Sequence, residues 1–544
     1  ENSIFGVDIQ PMAVEISRLR AWLSVLVDEN DKNNIQPLPN LDFKFVCANT
    51  LISLDKGTSK FADPKLDKKL ANLRDMYFNA RSPEKKKKYQ DEYHELTKIN
   101  LFDSADRRTQ QLKTFDPFKN IYSAEFFDAE YMFGISGGFD AVIGNPPYLL
   151  EGKTNKQAFK GIPYYQGKMD LWYSFAAIGI DFLKKNGHLC FIAKNNWVTN
   201  SGASVLRNKI ITDAKVEQLI DFGNLMIFEN ADQQTMIMLF KKNKISDNYT
   251  FDFRRVIGST NELNLGDAIE VLDRVSLKAS YLTPKINRLE YKNHFLTFSK
   301  SDDILTKIQS NSIFLDSKEI AQGIVFPQDV LNKKNQKNLG NKFTVGQGIF
   351  VLTNEEKESL QLSDKELELI RPYYTTEQVD RYYTNPQNTK WLIYTDSSFK
   401  DASSMDGYPN LKAHLDQFNS ILTSTYKPYG LHRARKKDFF VGEKVVAVRK
   451  SVGRPIFSYS NFECCVSQTF NVIKTNKCSS LFFFLLLNSS LIAFWLKNKG
   501  KMQGDNFQLD AEPIMQIPIK ISENQNVISA LTQEVIKMKK ELSK

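Results

Sequence analysis

One stretch decides how the first half of the chain is interpreted: Gly137-Gly138-Phe139-Asp140-Ala141-Val142-Ile143-Gly144-Asn145-Pro146-Pro147-Tyr148. Residues 139–143 predict a strand, and it ends in a rigid turn because the two prolines fix φ. Asn145 and the carbonyl of Pro146 can accept the hydrogens of an aromatic amine, while Tyr148 offers a flat face for a base. Together these residues predict amine methylation. A plain strand-ending turn is the alternative.

Strands and helices alternate on both sides of this stretch. The strand candidates outside it are Ile4–Asp8, Phe43–Ala48, His188–Ala193, Val216–Phe222 and Thr235–Phe240. Alternation of this kind predicts a Rossmann-like, doubly wound α/β sheet. Such sheets bind their ligands at the carboxyl ends of the strands.

Polar residues follow the two strands nearest the start of the chain. Asp8 stands where a nucleotide-binding α/β fold places a ribose-binding carboxylate, and Ile9 can pack on an adenine ring. Asn49, after the second strand, can hydrogen-bond a cofactor adenine. Taken alone, Asp8 is a helix cap about as often, and Asn49 is a turn residue about as often.

The charge of the chain favours an anionic partner. The 544 residues carry a formal charge of +10, and residues 246–544 hold 40 Lys and Arg against 33 Asp and Glu. Residues 427–501 hold 14 basic and 3 acidic residues, interleaved with aromatic residues. This bias predicts a nucleic-acid surface, with a basic face over core aromatics as the alternative. The predicted DNA contacts are Arg433, Arg435, Lys436, Lys437, Arg449, Lys450 and Arg454.

Cysteine, histidine and apolar residues follow no pattern typical of a secreted, metal-binding or membrane protein. The five cysteines include the adjacent pair Cys464 and Cys465, which predicts a reducing, cytoplasmic environment. The five histidines show no zinc spacing, so we predict no metal site. The apolar stretch Leu481–Leu496 is divided by Asn488, Ser489 and Ser490, which predicts a buried helix pair and no membrane contact.

Three motifs, in order along the chain, carry a family resemblance. Phe5–Ile9, Ala48–Leu51 and Gly144–Tyr148 resemble the motifs of N6-adenine DNA methyltransferases. The chain most resembles type IIG restriction-modification enzymes, in which a gamma-class methyltransferase is followed by a TaqI-like C-terminal specificity domain. Other stretches carry a similar resemblance: Asp221–Asn224, Ile227–Ala231, Tyr408–Lys412, Leu487–Leu491 and Gln516–Ile519.

The resemblance implies a cofactor and a target. The cofactor is S-adenosylmethionine, with Asp8 at its ribose, Asn49 at its adenine ring, and Ile9 and Thr50 beside them. Asn49 is a departure, because many relatives place Asp there. The target is an adenine flipped out of double-stranded DNA beside Tyr148 and Phe228. A role for Phe228 as plain core is the alternative.

The resemblance also implies that the two halves of the chain have different functions. Residues 1–245 correspond to the methyltransferase domain, and residues 246–544 correspond to an α+β target-recognition domain. The glycine-rich cofactor loop of the family precedes the strand that ends at Asp8, and we find no copy of that loop or of a paired-carboxylate nuclease motif. We therefore expect this chain to be the C-terminal portion of a longer enzyme. The rival functions are a non-catalytic DNA-binding specificity fragment and a methyltransferase that acts on RNA or on protein glutamine.

Overall fold

The structure is a computed structural model. It describes residues 3–27, 40–55, 64–101, 107–119, 121–152, 154–228, 233–243, 247–258, 262–291, 295–298, 302–340, 342–422, 426, 428–503 and 506–542. Contacts divide the chain into two units, Glu1–Leu296 and Thr297–Lys544. Two pieces of the sequence predictions, residues 229–231 and residue 427, lie outside the described residues.

The first unit alternates strands and helices as predicted. Its strands are β1 (Gly6–Asp8), β2 (Phe45–Cys47), β3 (Phe139–Gly144), β4 (Leu183–Lys194), β5 (Ala214–Asp221), β6 (Thr235–Lys242), β7 (Asn248–Thr250), β8 (Asp252–Val256), β9 (Ala279–Leu282) and β10 (Lys285–Asn287). Its helices are α1 (Pro11–Val27), α2 (Pro64–Phe78), α3 (Pro83–Leu101), α4 (Arg107–Leu112), α5 (Ala129–Phe133), α6 (Lys156–Lys160), α7 (Trp172–Phe182), α8 (Ser204–Asp213), α9 (Leu265–Leu272) and α10 (Arg288–Tyr291).

The first two strands form a small parallel sheet. Asp8 lies opposite Cys47, so β1 and β2 end at the same edge. Gly6 is required in β1 because a Cβ there would lie 2.5 Å from the ring of Phe45. Phe5, directly before β1, packs on Phe139 of β3, with ring centroids 6.2 Å apart. Asp8 and Asn49 therefore lie at the end of a strand pair that packs towards β3.

A six-stranded mixed sheet has the order β3-β4-β6-β5-β8-β9, and β7 pairs with β10 in a separate antiparallel sheet. The centre of the six-stranded sheet is apolar, and Leu189, Ala193, Met238 and Phe240 are fully buried. The strand β3 runs parallel to β4, with Gly144 opposite Phe191, which brings the turn after β3 close to the end of β4. Helix α7 ends at Phe182 and β4 begins at Leu183, earlier than the predicted strand 188–193.

The mixed α/β class predicted from the sequence is confirmed. The doubly wound arrangement stays a prediction, because the described strands β1 and β2 form a sheet separate from the six-stranded one. The predicted division between a methyltransferase domain ending at residue 245 and a target-recognition domain starting at residue 246 also stays a prediction. The first compact unit continues beyond it, since β8 pairs with β5 and β9 pairs with β8.

The second unit contains short strands and helices. Its strands are β11 (Ile320–Gln322), β12 (Val351–Thr353), β13 (Ile370–Tyr374), β14 (Tyr382–Tyr383), β15 (Lys390–Ile393), β16 (Lys444–Val448), β17 (Lys450–Val452), β18 (Phe457–Ser460), β19 (Cys465–Val466), β20 (Phe470–Ile473), β21 (Met502–Gln503) and β22 (Asn506–Gln508). Its helices are α11 (Asp302–Gln309), α12 (Lys333–Leu339), α13 (Asn354–Ser359), α14 (Asp364–Leu367), α15 (Pro409–Asp416), α16 (Ser480–Asn488), α17 (Ser490–Lys499), α18 (Ala511–Met515) and α19 (Gln525–Leu542).

Among its described residues, the second unit is organised by three sheets. They have the strand orders β11-β20-β16-β18-β14, β12-β15-β13-β19 and β17-β22-β21. The apolar stretch that the sequence singled out forms α16 and α17, which bend by 63° at the break between them. Phe483, Phe484 and Leu487 of the first helix and Trp495 of the second are buried in the core. Among the described residues no single helix is long and apolar enough to span a membrane.

The motif Leu487–Leu491 has a structural explanation. The buried side chain of Asn488 donates to the carbonyls of Phe457 and Phe484. Ser489 then caps α17 by accepting from the backbone N–H of Ile492. The sequence Asn-Ser-Ser therefore ends one helix and starts the next.

Candidate active site

The turn Asn145–Tyr148 lies at the carboxyl end of β3, as predicted. Asn145 and Pro147 are exposed, Pro146 is buried and Tyr148 is half-buried. The single hydrogen of the Tyr148 hydroxyl is shared between two acceptors, Asn145 Oδ1 at 3.0 Å and the carbonyl of Ile192 at 3.2 Å. An amide oxygen has two lone pairs, so Asn145 Oδ1 keeps one for a second donor. The turn thus presents an oriented, exposed acceptor beside an aromatic ring.

A buried ion pair lies against Tyr148. Lys194, the last residue of β4, places Nζ 5.6 Å from the centroid of the Tyr148 ring. The same Nζ lies 2.9 Å from Oδ2 of Asp170, whose side chain is 2% exposed. Burial, followed by the negative charge of Asp170, raises the pKa of Tyr148, so its hydroxyl stays protonated at neutral pH. Tyr148 therefore acts as a hydrogen-bond donor to Asn145.

The segment that leads to Phe228 starts from a network at the ends of β4 and β5. Asp221 Oδ1 accepts from the Asn195 side chain at 2.9 Å and from the Gly223 backbone at 3.0 Å. Asp221 Oδ2 accepts from Arg255 Nε at 2.9 Å. Phe222 and Leu225 are buried beyond it, whereas Phe228 is half-buried. The motif Asp221–Asn224 thus anchors the segment, and Phe228 is not a fully buried core residue.

The predicted cofactor residues lie at the shared edge of β1 and β2. Asp8 is exposed, and its Oδ1 accepts from the backbone of Gln10 at 2.7 Å. Ile9 is 53% exposed and leaves an apolar surface beside the carboxylate. Asn49 Oδ1 accepts from the backbone of Leu51 at 3.1 Å, and Thr50 is half-buried next to it. The amide nitrogen of Asn49 is therefore the group that can donate to a ligand.

Apolar side chains are exposed on β3 and on α1 of the first unit. In the described chain β3 pairs with β4 alone, and Ile143 in β3 is 79% exposed. Met12 and Ile16, one turn apart on α1, are 70% and 48% exposed. Exposed apolar side chains along a strand edge and a helix face are typical of surfaces that another segment covers.

The seven predicted DNA contacts fall into two groups. Arg433, Lys436, Lys437, Lys450 and Arg454 are exposed. Arg435 is half-buried in a left-handed backbone conformation (φ 67°), and its guanidinium donates to the Gln322 side chain at 3.1 Å. Arg449 forms an ion pair with Asp510 at 2.6 Å. The exposed group is available to phosphates, whereas the other two arginines already hold protein partners.

Sequence reasoning misses two side chains next to Tyr148. In the sequence alone, Asp170 marks the start of a helix and Lys194 the end of a strand. The signals that point to them are an acidic residue two positions before the buried Trp172 and a lysine at the carboxyl end of a buried strand. Neither signal indicates that the two side chains meet, because Leu149–Glu151 must first pair with Met169–Leu171.

Two family models, one in each part of the chain, match the sequence. Residues 2–228 match the Eco57I restriction-modification methylase family, and residues 371–519 match the TaqI-like C-terminal specificity domain. The two matched regions follow one another in the order that the type IIG resemblance implies. This confirms the family resemblance drawn from the three motifs.

Several proteins of this class are similar to the chain. A protein of Methanocaldococcus jannaschii named as a type II restriction enzyme and methyltransferase is 23% identical over 98% of this chain, which spans 45% of that protein. The type II methyltransferase M.HindII of Haemophilus influenzae is 23% identical over 70% of this chain and 74% of its own length. The type IIL restriction-modification enzyme MmeI, solved in complex with DNA, is 12% identical over 74% of this chain and 49% of its own, with a TM-score of 0.45.

Proposed function

We propose that this chain is the methyltransferase and target-recognition part of a restriction-modification enzyme that methylates N6 of adenine in double-stranded DNA. The single observation that carries the proposal is the exposed Asn145 oxygen held beside the Tyr148 ring. An acceptor and an aromatic face in this arrangement suit a planar base with an exocyclic amine.

The residues of the turn act on the target amine. The Asn145 oxygen and the Pro146 carbonyl accept its two hydrogens, which draws the nitrogen lone pair out of conjugation with the ring. Tyr148 and Phe228 stack on the base once it is flipped out of the duplex, at a cost of a few kcal/mol for unstacking. Asn145 is neutral and serves as an acceptor, so the main contribution of the turn is positioning.

The edge of β1 and β2 suits S-adenosylmethionine, which supplies the methyl group when it is bound. Asp8 is exposed, and with Oδ1 on Gln10 its Oδ2 is available to a ribose hydroxyl. The exposed side chain of Ile9 suits the face of an adenine ring. Asn49 Nδ2 can donate to a ring nitrogen, and Thr50 lies beside it. This donor and acceptor set matches a nucleoside.

We further propose that a parallel strand with a glycine-rich loop covers the exposed edge of β3, completing a doubly wound sheet. The support is the exposure of Ile143 and of the α1 face that includes Met12 and Ile16. The segment would come from a preceding part of the same protein, which would also carry the nuclease. We propose methyltransfer by the region up to residue 245 and DNA recognition by the region after it.

A methyl-incorporation assay tests the function. The complete enzyme is incubated with cofactor carrying a labelled methyl group and with duplex DNA, RNA of the same sequence or a glutamine-containing peptide. We expect label on N6-methyladenine, identified by nucleoside analysis, from DNA alone. Label on RNA or glutamine would establish one of the rival methyltransferases, and DNA binding without label in any substrate would establish a non-catalytic specificity protein.

The exposed cations of the second unit should determine the salt dependence of DNA binding. Replacing Arg433, Lys436 and Lys437 with glutamine should make the slope of log affinity against log salt shallower by about 0.9 for each phosphate that the variant no longer neutralises. The matched control is Arg449→Gln, which breaks the ion pair with Asp510. It should lower the thermal unfolding temperature and change the slope less than the triple variant does. An unchanged slope in the triple variant would show that this surface faces away from DNA.

A further inference from the structure

The ion pair beside Tyr148 is built into the fold of the first unit. The backbone of Leu171 donates to Leu149 and that of Glu151 donates to Met169, which fixes Asp170 next to the turn. Asp170 is 1% exposed, and only its Oδ2 has a partner, because Oδ1 makes no hydrogen bond to any described residue. Lys194 comes from β4, so two separate segments bring the pair together.

A contribution to stability does not by itself explain why this ion pair is present. A buried ion pair gains little over well-packed apolar residues, because both charges must leave water. The unpartnered oxygen of Asp170 adds a further cost, since a buried acceptor without a donor is unfavourable. The ammonium of the pair lies 5.6 Å from the centroid of the Tyr148 ring, which the proposed function assigns to the target base, and this position suggests a role in the reaction.

The reaction moves a positive charge onto the base. A bond forms between the amine nitrogen and the methyl carbon while the bond from that carbon to sulfur breaks. The sulfonium becomes a neutral thioether, and the base becomes a cation until it releases a proton to solvent. The face of an aromatic ring attracts a cation, so Tyr148 favours the charged base. An uncompensated ammonium 5.6 Å from the same ring opposes it.

We propose that Asp170 is a positioning residue for methyl transfer: it cancels the charge of Lys194, which would otherwise oppose the cationic base beside the Tyr148 ring. This inference rests on the proposed function. It predicts an asymmetry that a purely structural ion pair lacks. Loss of the carboxylate leaves a cation against the ring, whereas loss of the ammonium leaves an anion that favours the transition state.

The test compares Asp170→Asn and Lys194→Gln in the complete enzyme. We expect Asp170→Asn to lower kcat about tenfold, with KM for DNA changed less than threefold. Lys194→Gln should have a kcat at least tenfold above that of Asp170→Asn. The double variant should recover to within threefold of Lys194→Gln, because it no longer holds an unpaired cation. Thermal unfolding is measured for each variant alongside kcat.

A second lysine, aspartate and tyrosine group in the same unit supplies the matched control. Lys209 lies over the Tyr164 ring at 4.8 Å and pairs with Asp181 at 2.6 Å. Because Tyr164 is outside the Asn145–Tyr148 turn, Asp181→Asn should leave kcat within twofold of wild type. A fall in kcat of similar size in all single variants would indicate a general loss of structure and overturn the inference.

The outcomes separate this inference from the proposed function. Equal losses of kcat in Asp170→Asn and Lys194→Gln, or no recovery in the double variant, would overturn the charge-balancing role while the methyltransferase assignment stands. A wild-type enzyme that transfers no methyl group would reject both. If Asp170→Asn does not fold, Lys194→Gln alone decides, since a tenfold fall in its kcat contradicts the inference.

Discussion

Asn145→Ala should lower the rate of methyl transfer about 10² to 10³-fold, the loss typical of removing one positioned hydrogen-bonding group from an active site. The side-chain oxygen is exposed and already oriented by the Tyr148 hydroxyl at 3.0 Å, so the variant removes an acceptor without opening a cavity in the core. Methyl incorporation under single-turnover conditions measures the effect. Duplex affinity should change less than threefold, because the turn acts on the base and not on phosphates.

Substitutions at Tyr148 divide the contribution of the ring from that of the hydroxyl. Tyr148→Phe keeps the stacking face and loses the hydrogen bond to Asn145, so it should be slowed less than Tyr148→Ala. The control is Asn79→Ala, which removes an exposed asparagine just after α2 and should leave the rate unchanged. Full activity in Asn145→Ala, or in Tyr148→Ala, would contradict the assignment of the turn.

Glu366→Gln should destabilise the second unit by about 2–4 kcal/mol, the combined effect of a lost charged acceptor and a new unpaired donor. Glu366 is fully buried, and its Oε1 accepts from the backbones of Asn410 at 2.7 Å and Leu411 at 3.0 Å. Its Oε2 accepts from the backbone of Ser363 at 2.9 Å. A glutamine must point its NH₂ group at one of these donors. This contact also explains the motif Tyr408–Lys412, whose helix α15 the carboxylate caps.

Chemical denaturation of the chain measures this effect, and hydrogen exchange at the Asn410 and Leu411 amides locates it. The control is Glu355→Gln, an exposed acidic residue in the first turn of α13, which should change stability much less than Glu366→Gln does. Amide exchange in Glu366→Gln as slow as in wild type would show that the carboxylate does not hold this helix.

The advantage of glutamate at position 366 should depend on pH. Although burial acts in the opposite direction, hydrogen bonds from the backbone of Ser363 and Leu411 and from the Ser363 side chain lower the pKa of Glu366 below its ordinary value of 4.5. A carboxylate with a lowered pKa in the folded state adds stability above the unfolded value and loses it as the pH falls through the folded value. The difference in stability between wild type and Glu366→Gln should therefore shrink below about pH 4.5.

The local features predicted from the sequence are confirmed where each depends on neighbouring residues. The turn after β3, the strand that ends at Asp8 and the apolar break at Asn488 all depend on proline, on polar residues after apolar runs or on side-chain capping, and each acts within a few residues. The roles of Phe228, of the cofactor residues and of the basic side chains stay predictions. For residues 427–501, composition indicated the sign of the charge. It could not separate exposed Lys436 from Arg449, which is paired with Asp510.

By itself, the sequence determined the mixed α/β class, the family and the turn that presents Asn145, because alternating patterns and rigid prolines act through the local backbone. Only the tertiary structure decided which distant side chains meet. The pair Asp170 and Lys194, 24 positions apart, forms because the register of β3 and β4 brings Lys194 to the turn and the antiparallel bridge between Leu150 and Asp170 brings Asp170 there. Glu366 likewise accepts a hydrogen bond from the backbone of Asn410 at the start of α15, 44 residues further along the chain. Contacts of this range depend on packing and strand register, which no short pattern records.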